Sequence, residues 1–222
     1  MADKYTGKAD DRVYSGENVD IRYSLKRCIH AKECVTRLSS VFDIEKRPWI
    51  NPDGAEGDAV AEVLDLCPSG ALHYDRKDGG AQEKTPENNT IILWHNGQLQ
   101  FTGDLAIHGA NVAIEDETRA TLCRCGASDN KPFCDNSHKK IDFVAEPFEP
   151  AKEPDSAADT SGKVTITATE NGPLQVEGNF KITDQDGTLL YTGSKTWLCR
   201  CGNSKSKPFC DGTHNKIGFK AD

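Results

Sequence analysis

Through its second half the chain alternates apolar and polar positions in short runs, broken by asparagine–glycine pairs. IILWHNGQLQFTGDLAI, Ile91 to Ile107, sets Asn96-Gly97 between two such runs. ITATENGPLQVEGNFKI, Ile166 to Ile182, repeats the arrangement 75 positions later around Asn171-Gly172. A period of two marks a strand with one buried face, and Asn-Gly supplies the positive φ of a tight hairpin turn. Each copy is therefore predicted to be a β-hairpin, with ATLCRC and TWLCRC as a further strand running into a cysteine group. The N-terminal third reads differently. VDIRYSL predicts a strand and RPWI another, while GDAVAEVLDL puts Val60, Val63 and Leu64 on one helical face that Cys67-Pro68 closes.

Two polar stretches rich in proline, charge and small residues, DRKDGGAQEKTPENN and EPFEPAKEPDSAADTSG, lack any apolar period and read as linkers. The chain divides into a first domain at 13–75, a linker at 76–89, a second domain at 90–145, a linker at 146–162 and a third domain at 163–222. The second and third domains share NGxLQxxG and then a matched cysteine motif, offset by 76, which is the mark of a duplication.

Composition narrows the classes. Units of this size rarely bury enough apolar surface to fold unaided, and each here carries its own cysteine group. Nine cysteines are an odd count, and MADKYTGKADDRVYSG has no secretory apolar core, so a disulfide framework is disfavoured and a cytoplasmic location is expected. No run of 18 apolar residues argues for a membrane span. A net charge of −8 speaks against a nucleic-acid partner. No phosphate-binding glycine loop or nucleophile elbow occurs, so no catalytic residue is assigned and an enzyme is not expected.

The chemistry lies in CRCGASDNKPFCDNSH, Cys123 to His138, and CRCGNSKSKPFCDGTH, Cys199 to His214. Both obey C-x-C-x2-S-x3-P-x-C-D-x-S/T-H, which offers Cys123, Cys125, Cys134 and His138, then Cys199, Cys201, Cys210 and His214, as metal ligands. Soft thiolates hold iron or zinc, and a neutral imidazole lowers the site's charge. Three cysteines and a histidine are also a structural zinc set, although a single residue between the first pair is unusual for zinc. The motif resembles the CDGSH iron–sulfur domain, the mitoNEET family. That resemblance implies a 2Fe–2S cluster in each copy, one iron on Cys123 and Cys125 (or Cys199 and Cys201), the outer iron on Cys134 and His138 (or Cys210 and His214). Asn136 stands where the family has glycine; asparagine tolerates left-handed backbone, so the site is expected to be retained. The lysines around both knots, with Arg124 and Arg200, read either as solvated loop cations or as a patch that offsets anionic clusters and docks an acidic partner.

Cys28, Cys34 and Cys67 form the third group. They keep the outer positions of a ferredoxin run and its remote Cys-Pro, with Ala31 where a middle cysteine would stand. The segment resembles the divergent single-cluster ferredoxin-like domain found joined to CDGSH motifs. Three cysteines suit a 3Fe–4S cluster; a 4Fe–4S cluster with His30 or an outside group as fourth ligand is the alternative, and His30 also reads as a bystander. His73, His95 and His108 read as ordinary, and Trp49, Trp94 and Trp197 as core residues.

The expectation is an α+β ferredoxin-like N-terminal module followed by two small β-rich CDGSH-type modules packed as an intramolecular pseudo-dimer in a monomeric chain. Its expected work is to carry single electrons between redox partners, a partner presenting an acidic face. The alternative is cluster transfer or pH and redox sensing, with release gated by His138 and His214.

Overall fold

The computed structural model describes residues 4–150 and 153–221. It forms two bodies: Gly7–Lys84, and a second that begins at Thr85 and also takes in Lys4, Tyr5 and Thr6.

In the first body, β1 (Arg12–Ser15), β2 (Val19–Tyr23) and β3 (Leu72–Arg76) make an antiparallel sheet in that order, with Ile21 opposite Tyr74. Helix α1 (Glu33–Arg37) follows Cys28, and α2 (Gly57–Asp65) turns Val60, Val63 and Leu64 onto the sheet as their spacing requires. Ile21, Phe42, Ile50, Val60 and Leu64 are sealed from solvent in one core. RPWI does not form the predicted strand. Proline there leaves no ladder donor, and only a single bridge, Phe42 to Ile50, joins this stretch. The polar stretch after β3 folds back: Gln82 exchanges hydrogen bonds with the Arg76 backbone, and the Glu83 carboxylate lies 2.7 Å from His73 Nδ1.

The second body is a sheet of six strands: β4 (Thr90–Leu93), β5 (Leu99–His108), β6 (Ala113–Leu122), β7 (Lys163–Ala168), β8 (Leu174–Asp184) and β9 (Leu189–Leu198). Hairpins β4–β5 and β7–β8 turn through Asn96 (φ 46°) and Asn171 (φ 50°), as the Asn-Gly pairs predict. The long strands then change partners. The second half of β8 runs parallel to β4, pairing Ile91 with Ile182, and the second half of β5 runs parallel to β7, pairing Ile107 with Ile166. These two pairings are the same pair of repeat positions taken in opposite order, so the copies exchange strands symmetrically. Each long strand is irregular where it changes partner, between Thr102 and Leu105 and between Glu177 and Phe180. Leu99, Phe101, Ile107, Ile166, Leu174 and Ile182 meet in a core shared by both copies, and Tyr5 joins it through a parallel bridge to Val112. Neither copy could bury this face alone.

Trp94 and Trp197 are not core residues. They stand on outward positions, 38% and 46% exposed, Trp94 donating Nε1–H to Gln100 and Trp197 lying 5.5 Å from Lys195 Nζ. Trp49 is partly buried and meets Tyr23 edge-on at 4.9 Å. Among the described residues, no helix is long and apolar enough to cross a membrane.

Candidate metal centres

Each CDGSH-type knot is a loop stapled to the end of its strand. Cys123 N–H donates to Pro132 O and Cys134 N–H to Thr121 O, while Cys199 and Cys210 do the same to Pro208 and Trp197. The remaining motif residues hold the loop. Ser128 Oγ donates to Phe133 O and Ser204 Oγ to Phe209 O. Asp135 accepts the N–H groups of Asp129 and Ser137, and Asp211 those of Lys205 and Thr213, all at 2.9 Å. These bonds hold the Asp211 carboxyl well below the usual carboxylate range. Asn136 sits at φ 67° where Gly212 sits at φ 80°, so asparagine does take the left-handed position in the first copy.

The donors come in pairs. Cys123 Sγ and Cys125 Sγ lie 3.8 Å apart, as do Cys199 Sγ and Cys201 Sγ. Cys134 Sγ lies 3.6 Å from His138 Nδ1. Two sulfurs on one tetrahedral metal with bonds of about 2.3 Å stand roughly 3.8 Å apart, and a sulfur and a nitrogen roughly 3.6 Å. Each pair therefore suits one metal. Yet among the described residues no three His, Cys, Asp or Glu side chains converge where a single ion could sit. In the second copy His214 Nδ1 lies instead 3.0 Å from the backbone oxygen of Asn171.

Backbone amides point at the sulfurs: Ala127 N–H at Cys125 (3.5 Å), Asn136 N–H at Cys134 (3.3 Å) and Gly212 N–H at Cys210 (3.4 Å). Such donors stabilise the thiolate and raise the potential of what it binds. Burial pushes Cys134 up to about 12 and Cys199 up to about 11. The hydrogen bond between Cys123 and Cys125 holds Cys123 well above the ordinary thiol range and Cys125 down at about 7. Burial also lowers the His138 pKa, favouring the neutral imidazole that a metal requires. Loading these sites must therefore release protons.

Arg124 and Arg200, between the paired cysteines, belong to no surface patch. They are 4% and 1% exposed. Arg124 donates to Gly97 O and Trp94 O, and Arg200 to Gly172 O, Thr169 O and Ala221 O, clamping each Asn-Gly turn beneath its knot. Burial lowers Arg124 to about 10, with the thiolates of Cys199 and Cys125 acting the other way, so its charge faces both copies. The same arginine in both C-R-C triplets was the available signal for this role. The two knots also touch. A Cβ on Gly126 would stand 2.6 Å from Cys201 O, and one on Gly202 would stand 2.3 Å from Cys125 O, so glycine is needed at both. Lys131 and Lys207 cap carbonyls of their own loops, leaving Lys139, Lys140, Lys205 and Lys216 as exposed cations.

In the first body, Cys28, Cys34 and Cys67 line a cavity of about 250 Å³ walled by Tyr23, Trp49, Val63 and Leu72. Ala31 forms part of that wall, and His30 Nδ1 lies 4.0 Å from Cys28 Sγ. Burial raises Cys34 to about 11. Three thiols around an apolar-walled space suit a cluster that displaces their protons. His73 is buried on Glu83, His108 faces Glu115 at 3.0 Å and His95 lies 3.0 Å from the Asn96 amide, so none of the three sits among the cysteines.

Paired sulfur and imidazole donors in strand-anchored loops of one body, and a three-thiol cavity within the other, suit a protein of the iron–sulfur class. Family comparison agrees. Residues 14–77 match the divergent 4Fe–4S mono-cluster family, and residues 96–139 and 171–215 each match the iron-binding zinc finger of CDGSH type. The chain belongs with the proteins that join one divergent ferredoxin-like domain to two CDGSH domains. These families are non-catalytic iron–sulfur carriers, and membership of them implies an iron–sulfur-binding protein of the electron-transfer kind. Two relatives, the uncharacterized protein YjdI of Escherichia coli K12 and that of Escherichia coli O157:H7, are each 39% identical over 66 residues, spanning 30% of this chain and 87% of theirs.

Proposed function

We propose that the chain carries single electrons on three clusters. Cys123, Cys125, Cys134 and His138 would hold one 2Fe–2S cluster, and Cys199, Cys201, Cys210 and His214 another. Cys28, Cys34 and Cys67 would hold a 3Fe–4S cluster, or a 4Fe–4S cluster whose fourth corner is served by His30 or a small ligand. The observation that carries the reading is the pairing of Cys123 with Cys125 and of Cys199 with Cys201 at 3.8 Å, and of Cys134 with His138 at 3.6 Å. Bound there, the clusters supply one-electron redox chemistry. The protein's own contribution is to exclude water, direct amide N–H groups at the sulfurs and place buried arginine charge beside them. The symmetric strand exchange supports an intramolecular pseudo-dimer of the two CDGSH modules in a monomeric chain. Exposed Lys139, Lys140, Lys205 and Lys216 favour a redox partner with an acidic face, in the cytoplasm. The partly exposed His214 favours a second reading, cluster transfer.

Stepwise anaerobic reduction tests the carrier role. It should take up about three electrons per chain, one for each cluster, and air-free reoxidation should restore the starting spectrum. Irreversible bleaching on the first electron would contradict it.

A further inference from the structure

The two CDGSH sites share a motif but not an environment. Cys134 is 3% and His138 6% exposed, whereas Cys210 and His214 are both only partly buried. His138 turns Nδ1 to Cys134 Sγ, while His214 turns Nδ1 to the Asn171 oxygen. The cover differs as well. Phe143, five residues after His138, is 8% exposed, with the Arg124 guanidinium 5.7 Å from its ring and Lys207 Nζ, from the other copy's loop, at 6.0 Å. Its counterpart Phe219 has Arg200 at 5.6 Å and stays partly open.

We propose, resting on the cluster assignment above, that the second copy is the exchangeable site and the first the retentive one. Cys210 and His214 are the donors that an incoming thiol displaces. Two acceptor thiols would take the places of the His214 nitrogen and the Cys210 sulfur on the iron that those residues would hold. The two protons those thiols shed pass to Cys210 and His214, and no electron changes hands. Two features favour this order. Water and a thiol reach Cys210 and His214 without opening the body, and a freed His214 has the Asn171 oxygen ready for its N–H. The partner implied is a cysteine-bearing acceptor that approaches this open corner.

The cluster-loaded full chain, treated with 2,2′-bipyridine in the presence of iodoacetamide, tests the order. Visible circular dichroism follows the 2Fe–2S centres and supplies the phases, iron release counts the metal lost from all three sites, and mass spectrometry maps the alkylated cysteines. Two phases of similar amplitude are expected, separated by about tenfold or more, with Cys210 alkylated in the fast one. His214→Cys should abolish the fast phase, and His138→Cys should leave it. Labelling of Cys134 before or together with Cys210 would overturn the proposal even if both variants failed to fold, because the native chain supplies that result. A chain with no 2Fe–2S spectrum before chelator is added would instead overturn the assignment beneath it, a distinguishable failure.

Discussion

Serine at both Cys123 and Cys125 is expected to remove about two irons per chain and to lower the stability of the body from Thr85 onward by several kcal/mol. The two thiols lie 3.8 Å apart at the end of β6, and both are buried. Their loss leaves Cys134 and His138 as an incomplete pair, and a hydroxyl is a poor donor for a soft iron site. Because metal binding and folding draw on the same free energy, the loop from Gly126 to Phe133 loses its fixed end. The damage spreads, since Gly126 packs on Cys201 and both copies share one core. The second cluster should nevertheless persist, as its four donors are untouched. Iron analysis together with thermal unfolding checks both parts. Unchanged iron would mean these cysteines are not ligands.

Arg200→Ala is the second large effect. The guanidinium is 1% exposed and donates to three backbone oxygens, of Gly172, Thr169 and Ala221. Alanine would take that donor from the buried Gly172 and Ala221 oxygens, while Thr169 O keeps the Gly172 N–H, and would remove the cation that stands between Cys199 and Cys201 in the chain. A loss of about 3–5 kcal/mol follows from stranding buried polar groups, and a drop in melting temperature on the order of 10 °C. Arg200→Lys should recover part of the charge effect on reduction potential but little of the stability, since an ammonium lacks the fork that reaches separate carbonyls. Denaturant unfolding and redox potentiometry on both variants separate the two contributions. A loss below about 1 kcal/mol would place this arginine among ordinary surface cations.

What could be read from the sequence was local. The Asn-Gly turns and the helix in GDAVAEVLDL depend on residues near one another in the chain, and the structure has both; the spacing of the proposed ligands is equally local. Strand exchange depends on the pairings of Ile91 with Ile182 and Ile107 with Ile166, which join residues far apart and leave no mark on either strand's pattern. RPWI looked extended because of its aromatic and β-branched residues, but a proline without an N–H outweighed them. Trp94 and Trp197 looked like core residues by type, but the alternation of β9 sends Trp197 outward and Trp94 stands just past the end of β4, at the entry to the Asn96-Gly97 turn. Arg124 and Arg200 looked like surface charge because burial of an arginine is decided by the carbonyls that receive it. Tyr5 looked like part of a polar lead-in, and its place in the second body's core is set by the distant Val112.

The measurement that bears most directly on the cluster assignment is metal and acid-labile sulfide analysis of the chain purified without oxygen. Two 2Fe–2S sites and one three- or four-iron site predict about seven to eight irons with about eight sulfides, and negligible zinc. About three zinc ions per chain with no labile sulfide would contradict it.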